Sequence, residues 1–449
     1  MLGVNLEPKN LAVGNHRIHY AWATVALAAA MRLSTSSFRS SQSILIPRLV
    51  ETFGWSYGSL GGAFALQWIV SGAFSPPAGW MGDRYGVRVS MTLGALLFIL
   101  GMVLTSTVTH LWQFYVYFGL ILSASMGIFQ VPLTAAVTLW FKKHLGLGMG
   151  VLNSAQGLGP LVAVPIIVLI VQTMGLRAAF WLPGVAGGIF ILFLIRLFYN
   201  EPADVGLRPL GADETEPIRS TQRGEIAKVR STVFLRQARR TSAFWNLIGI
   251  HYWGCAGHAI VLVFLVAMAE DRGVSAEVAA GTFVVLSVFS TLTRFAVPVI
   301  ADLMGSKGVM AFCFFLQTAP ILLLFFAHDA WMFYLFAALF GIGFGGEMTA
   351  FPIINRQYYG SAPIGTTLGW QMMGAGFGMA SGAALGGLLR DATGDFNATM
   401  GLSLALSLVG VLSILKLPAT SQPLLPHWED ELHAAALPET LAGGVPAKS

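Results

Sequence analysis

Arg294 lies in Ser290-Thr291-Leu292-Thr293-Arg294-Phe295-Ala296-Val297-Pro298, in the middle of a long apolar stretch. A guanidinium at that depth is costly unless it faces a cavity, a partner or a bound anion. Its planar fork suits a carboxylate. The alternative is a structural ion pair, with Glu347 as its candidate partner. Arg32 and Arg39 stand seven residues apart on one helical face with Ser36 between them. Arg39 would either draw anions at an outer mouth or snorkel to headgroups. His251, Cys255 and His258 occupy the matching positions of a later stretch. The two histidines are suited to carrying protons or, buried, to serving as ordinary hydrogen-bonding groups. Glu347 follows Gly341-Ile342-Gly343-Phe344-Gly345-Gly346; a carboxyl there would carry a proton or neutralise Arg294 or Arg32. Gln67, Gln130, Tyr115, Asn153, Gln156, Trp370 and Gln371 are secondary cavity candidates, although polar amides also hold apolar helices together. The sequence carries no P-loop, catalytic triad, dinucleotide fingerprint or metal-ligand spacing, so enzymatic chemistry, a cofactor and a metal are not expected.

A second kind of chemistry is written in Gly79-Trp80-Met81-Gly82-Asp83-Arg84-Tyr85-Gly86-Val87-Arg88. A degraded copy, Ala301-Asp302-Leu303-Met304-Gly305-Ser306-Lys307, follows 219 residues later. An aspartate at such a turn can accept hydrogen bonds from the N-terminus of a helix in the other half of the chain. That makes a latch, with Asp83, Arg84, Arg88, Asp302 and Lys307 as gate candidates. A topology signal alone would need only the cations and leaves the Asp and Gly spacing unexplained. Leu303 replaces the arginine in the second copy, so a weaker latch is expected there. The same shift pairs Gly62 with Gly281, Trp112 with Trp331, Tyr115 with Tyr334 and Gly127 with Gly346. Further on it pairs Gly146 with Gly365, Gly150 with Gly369 and Gly157 with Gly376. It fails where it pairs Ser75 with Arg294 and Arg32 with His251.

These residues must be positioned by membrane helices. The chain is 55% hydrophobic and 10% charged, with a mean hydropathy of +0.70, against about 25% charge in soluble proteins. About twelve apolar stretches are long enough to cross a hydrocarbon core of about 30 Å. The reading is an all-α membrane protein of twelve transmembrane helices in two six-helix halves. Its expected divisions are an N-terminal segment 1–19, a bundle 20–199, a linker 200–241, a second bundle 242–418 and a tail 419–449. The fourth and tenth spans are read as 111–139 and 330–356. The tail after Lys416, rich in Pro, Ala and Leu, is expected to be poorly ordered. No cleavable leader is expected, since residues 1–19 are polar and the first apolar stretch continues as a full span. Lys and Arg gather in alternate loops and in the linker, leaving Arg48, Arg177, Arg272 and Arg390 on the other side. The positive-inside rule then puts both termini and the linker in the cytoplasm. The net charge of +5, spread over loops, does not point to nucleic acid. Cys255 and Cys313 lie in apolar spans and suggest no disulfide framework.

The charged turn resembles the signature loop between the second and third helices of the major facilitator superfamily. Gly79, Asp83, Arg84, Gly86 and Arg88 match it in place. The resemblance implies that the aspartate and the following cations form a charge relay at the cytoplasmic gate. Within the superfamily, Trp140-Phe141-Lys142-Lys143-His144-Leu145-Gly146-Leu147-Gly148-Met149-Gly150 resembles the start of the fifth helix of monocarboxylate-transporter-like members. Asn200-Glu201-Pro202-Ala203-Asp204-Val205-Gly206-Leu207-Arg208-Pro209 is similar to the start of the central loop in bacterial relatives of that group, and Phe53-Gly54-Trp55-Ser56 also fits. The opening motif of animal members is largely lost; Tyr20-Ala21-Trp22-Ala23 is what remains. In that group an arginine at the position of Arg294 binds the substrate carboxylate. Animal members carry an aspartate one turn earlier, where Ser290 stands, so their proton-coupling scheme does not transfer. Oxalate–formate exchangers add a lysine in the eleventh helix, which here has no charge before Arg390.

The resulting expectation is a secondary transporter of a small organic anion, a monocarboxylate, working as a monomer in the inner membrane with protons as coupling partner. Substrate contacts are expected from Arg294, Arg32, His258, His251, Tyr115 and Gln371. Proton coupling is expected from Glu347, His251 or His258. The alternatives are an oxalate–formate type of exchanger, a multidrug exporter of the same fold and a transporter-like membrane sensor. An exporter would favour an aromatic cavity with acidic groups, and a sensor usually brings an appended domain. A channel is disfavoured by the duplicated gate.

Overall fold

The computed structural model describes residues 11–13, 16–218 and 224–434. Among these described residues, ten helical stretches are long and apolar enough to cross a membrane. Tyr20–Phe53 and Tyr57–Tyr85, of 34 and 29 residues, precede them as the first and second long helices. The third to sixth are Val87–Ser106, Leu111–Trp140, Leu145–Met174 and Ala178–Leu197. The seventh to twelfth are Ser242–Asp271, Ala276–Met304, Ser306–Leu324, Ala330–Tyr359, Gly365–Thr393 and Asn397–Leu415. Large apolar side chains such as Leu96, Ile166, Phe193, Val284, Leu292 and Leu388 are exposed, which suits a belt facing lipid tails. A short hairpin pairs Leu11–Val13 with His16–Ile18 ahead of the first helix.

Helix ends follow the local chemistry. Ser56 caps the second helix by accepting from the Ser59 N–H at 3.1 Å, and Thr241 caps the seventh by accepting from the Phe244 N–H at 3.3 Å. Gly86 and Gly305, both at φ 90°, end the second and eighth helices. That left-handed conformation is open to glycine without a Cβ penalty.

The two halves meet through two crossings that obey the 219-residue repeat. The fifth helix packs on the eighth, and the eleventh on the second. A Cβ on Gly146 would lie 2.7 Å from the Asp302 Cβ, and one on Gly365 would collide with the Asp83 Oδ1. Farther along, Gly157 abuts Thr291 and Gly376 abuts Gly72. Each pair maps onto the other by the same shift. Small residues let backbones approach where lipid offers no hydrophobic drive between helices. Tyr115 and Tyr334 repeat as well: their hydroxyls fill the space above Gly62 and Gly281.

The fourth and tenth helices are not single runs of α-helix. Tyr115–Leu122 winds as a π-helix, and the tenth divides into Ala330–Glu347 and Phe351–Tyr359. Before the π turn the packing register is 219 residues. After it, Gly127 meets the Ser71 carbonyl while Gly345, rather than Gly346, meets that of Ser290. The wide turn absorbs one residue of the first half. The break at Met348–Ala350 restores the register, so that Gly146 and Gly365 correspond again.

Linker and tail are more ordered than their composition implied. Gly224–Ala238 is a helix. Residues 417–434, expected to lack order, run back over it. Tyr358 donates its hydroxyl to the Pro418 carbonyl at 2.6 Å, and the Leu424 N–H donates to the Tyr358 carbonyl at 2.8 Å. Trp428, buried, packs edge-on against Phe234 and beneath Arg230. An aromatic anchor with a cation on its face outweighs the polar composition around it. Residues 435–449 lie outside the described residues.

The glycine crossing gives a measurable expectation. Gly376→Leu drives a side chain into the Trp68 carbonyl and the Gly72 Cα, 2.6 and 2.8 Å from the new Cβ. Overpacking of this kind costs about 1–3 kcal/mol, read as a lower melting temperature in detergent. Gly401→Leu, where nothing lies within 4 Å, is expected to leave the melting temperature unchanged.

Candidate functional site

Arg32 and Arg294 face one cavity between the halves. Arg32 is 12 residues from the start of the first helix and Arg294 ten from the end of the eighth, so both sit about 15–18 Å from the same end of the bundle. Arg32 is 5% exposed and well held. It donates through Nη1 to the Gln156 Oε1 at 3.2 Å, and through Nη2 to the Gln130 carbonyl at 3.2 Å and the Thr134 Oγ1 at 2.7 Å. Arg294 is 9% exposed. Among the described residues it has no hydrogen-bond acceptor and no carboxylate at ion-pair distance; its guanidinium lies 5.4 Å from the Phe344 ring centroid. The expected alternative of an Arg294–Glu347 ion pair is not what forms. The charge of Arg294 is unfavourable to that of Arg32, while Glu347, beyond ion-pair distance, is the opposite charge acting on Arg294.

Gln130, Val131, Thr134, Asn153 and Gln156 line the cavity on one side, and Met348, Thr349, Phe351, Pro352, Leu368 and Met372 on the other. Of the four helices that supply these residues, the fourth and the tenth are interrupted. Pro352 lacks an N–H and disfavours helix at the residue before it. The chain therefore opens at Met348–Ala350 and turns Thr349 and Phe351 toward the cavity. A discontinuous helix beside a site of this kind lets irregular backbone line a cavity rather than face lipid.

Other expected contacts lie elsewhere. The Tyr115 hydroxyl donates to the Ser59 carbonyl at 2.7 Å, outside the cavity lining. Gln371 is fully buried and pairs reciprocally with Asn355 at 2.9 and 3.1 Å. Helical phase explains this: Leu368 and Met372 take the inward positions, leaving Gln371 between helices. Gln67 and Trp370 are also absent from the lining, and Phe295 is exposed on the outer surface. His251 is buried flat against Phe351, centroids 3.4 Å apart, with both ring nitrogens unpartnered. It stands behind the cavity wall, not in it. His258 is a further layer back, with Nδ1 2.8 Å from the Glu347 Oε2 and Nε2 3.1 Å from the Met379 Sδ. The Arg39 side chain lies outside the described residues. Sequence reasoning missed Thr134 and the segment 348–352; Pro352 was the signal for the latter.

At the charged-turn end both latches are closed. The Asp83 Oδ1 accepts from the Gly365 N–H at 3.0 Å; its Oδ2 accepts from the Thr366 N–H at 2.7 Å and the Thr366 hydroxyl at 2.8 Å. Asp302 makes the pseudo-symmetric contact once, accepting from the Gly146 N–H at 3.0 Å. A carboxylate on the first N–H groups of a helix is favoured by both hydrogen bonds and the helix dipole. The cations do other work. The Arg88 Nη2 donates to the Arg196 carbonyl at 3.3 Å and the Lys307 Nζ to the Leu417 carbonyl at 2.5 Å. Each thus binds the C-terminal end of the last helix of its own half. Arg84 lies over Trp80 and donates to the Thr232 hydroxyl of the linker helix at 2.6 Å.

The chain matches the Major Facilitator Superfamily over residues 27–307 and 255–444. It belongs to that superfamily. It is therefore a multi-pass membrane protein of a transporter family, not an enzyme. Human monocarboxylate transporter 11 is 26% identical over 411 residues, covering 88% of this chain and 83% of the relative. The oxalate:formate antiporter of Oxalobacter formigenes is 24% identical over 347 residues, covering 76% and 78%. Among solved structures, the human organic anion transporter MFSD10 superposes with a TM-score of 0.69 at 17% identity, covering 88% of this chain and 99% of that one. A point variant of the Escherichia coli fucose:proton symporter FucP gives 0.67 at 16% identity, with the same coverage.

The two latches predict unequal effects. Removing a charged hydrogen-bond partner costs about 1.5–3 kcal/mol, or about 10- to 100-fold in an opening equilibrium. Thr138 is buried just behind the Asp83 latch. In a chain whose Cys255 and Cys313 are replaced by alanine, Thr138→Cys should react with an impermeant maleimide faster when Asp83→Asn is added. Asp302→Asn, which loses one bond, should accelerate it less.

Proposed function

We propose that this superfamily member moves a small organic anion, a monocarboxylate, across the cytoplasmic membrane by alternating access, coupled to protons. The observation that carries the reading is Arg294: a buried guanidinium that lines the central cavity with no hydrogen-bond acceptor among the described residues. A carboxylate would supply what it lacks, two acceptor oxygens in the plane of the fork. Arg32 stands across the cavity with its donors already engaged by Gln156, Gln130 and Thr134, so it contributes field more than a first contact. The curated relatives named for monocarboxylates and for oxalate and formate support the same class. A cavity whose charged lining is two arginines is a poor host for the cationic compounds many multidrug exporters carry. The basic loops support an inner-membrane orientation with both termini cytoplasmic. The Asp83 and Asp302 latches would then close the inner gate, and breaking them would open the cavity inward.

One observation favours exchange as a second reading. Two cations without a carboxylate beside either one balance a dianion better than a monoanion, which fits exchange of a short dicarboxylate for a monocarboxylate.

Uptake of labelled lactate, pyruvate and oxalate into proteoliposomes, with and without an imposed pH gradient, tests both. Arg294→Ala is expected to weaken the transported anion by about 10- to 100-fold, the worth of a charge-assisted bidentate contact of about 1.5–3 kcal/mol. Arg32→Gln is expected to weaken oxalate more than lactate. If the wild-type protein moves no carboxylate, the reading is wrong.

A further inference from the structure

The Glu347 carboxyl is fully buried and takes no part in the cavity lining. Its Oε2 lies 2.8 Å from the His258 Nδ1, and its Oε1 has no partner. Gly254 makes the space for that second oxygen: a Cβ there would collide with it. A carboxylate with one lone oxygen in an apolar interior is expensive. Protonation of the pair removes the net charge, since the proton can sit on the carboxyl or on the imidazole facing it. Phe344 separates this pair from the cavity. The His258 ring stands edge-on to it at 4.9 Å and the Arg294 guanidinium lies over it at 5.4 Å. Glu347 is also the opposite charge acting on Arg294.

We propose that His258 and Glu347 form a proton-binding site that sets the charge Arg294 presents to its anion. With the pair unprotonated, its single negative charge balances Arg294 across Phe344 and the cavity holds an anion weakly. One proton, taken from water, brings the pair to neutrality and leaves Arg294 uncompensated, so the anion binds tightly. Proton and anion therefore favour each other's binding, and by reciprocity each raises the other's affinity by the same factor. That is the thermodynamic condition for carrying both in one direction. His251 is not part of the site: its nitrogens meet no acceptor and its face lies on Phe351.

The other titratable or charged groups around the pair are few. Cys255 and His251 share the seventh helix with His258, Arg294 faces the pair from the eighth, and Cys313 from the ninth. The eleventh helix contributes Met379, which does not titrate.

The inference rests on the anion-transport reading, and its test separates the two. In proteoliposomes, Glu347→Gln should keep counterflow exchange of the best-transported of lactate, pyruvate and oxalate while losing pH-gradient-driven accumulation. The wild-type anion Kd should rise by up to about tenfold per pH unit above the range in which the pair loses its proton. In Glu347→Gln, Kd should be flat. Replacing Cys255 and Cys313 by alanine should leave the wild-type pH dependence intact. Gradient-driven accumulation by Glu347→Gln, or an unchanged pH dependence of its Kd, overturns the proposal. Should that variant not fold, binding to the wild-type protein in weakly buffered solution gives the answer. Uptake of about one proton per anion supports the pair, and none overturns it. Infrared difference spectra between acid and alkaline pH need no anion. A pH-dependent carboxyl or imidazole band in the wild type that survives Arg294→Ala and is absent from Glu347→Gln supports the site, even if no carboxylate is transported. Absence of any titrating carboxyl or imidazole band in the wild type sinks it.

Discussion

Two guanidinium groups are buried against one cavity, one from each half of the molecule, with no carboxylate beside either. In a low-dielectric interior like charges at such a place repel and each is costly to desolvate. Arg32 is stabilised by three neutral acceptors fixed on the fourth and fifth helices. Arg294 has an aromatic face and, one layer back, the charge of Glu347. The arrangement holds because the halves are pinned together elsewhere. Glycine crossings bring backbones close along the second and eleventh helices and along the fifth and eighth, and Asp83 ties the ends of one such pair. The cavity is thus lined by two positive charges and kept open by packing elsewhere between the halves.

The symmetry of the chain is strict in its scaffold and broken in its chemistry. Gly146 with Asp302 and Gly365 with Asp83 are copies of one contact, as are Arg88 and Lys307 on their helix ends. Function sits where the copies differ. Asp83 makes three hydrogen bonds and Asp302 one: Thr366 supplies both its N–H and a hydroxyl to Asp83, where Leu147 stands in the first half with no hydroxyl to offer. A π turn in the fourth helix and a break in the tenth exchange one residue of register. The break delivers Thr349, Phe351 and Pro352 to the cavity. Arg294, in the place of Ser75, and Glu347 belong to the second half alone, so the charge asymmetry that could distinguish an anion from a proton is confined to one bundle.

Much of this could be read from residue types. An arginine mid-span, an aspartate at a glycine-flanked turn and a repeat of 219 residues each have a local cause: desolvation cost, helix-end hydrogen bonding and duplication. The amides split. Gln130, Asn153 and Gln156 reached the cavity, whereas Gln67 and Gln371 went between helices. Nothing local separates these fates, because an amide satisfies a neighbouring helix as readily as a cavity. Tyr115 was misjudged for a similar reason: its hydroxyl serves a backbone carbonyl above a glycine. The ordered tail was hidden because Trp428 gains its burial from Phe234 and Arg230, almost 200 residues away in sequence.

Sequence by itself determined the membrane class, the duplicated halves, the aspartates on helix N-termini and the arginine at the centre. Each follows from hydropathy or from a spacing that survives without knowing any neighbour. Only the tertiary structure decided that Arg294 is open while Arg32 is engaged, and that Glu347 pairs with His258 instead of an arginine. It also decided that the tenth helix parts at the cavity. Pairing among buried charges depends on distances between helices that the order of residues does not contain; a shift of one helical phase would have exchanged the partners.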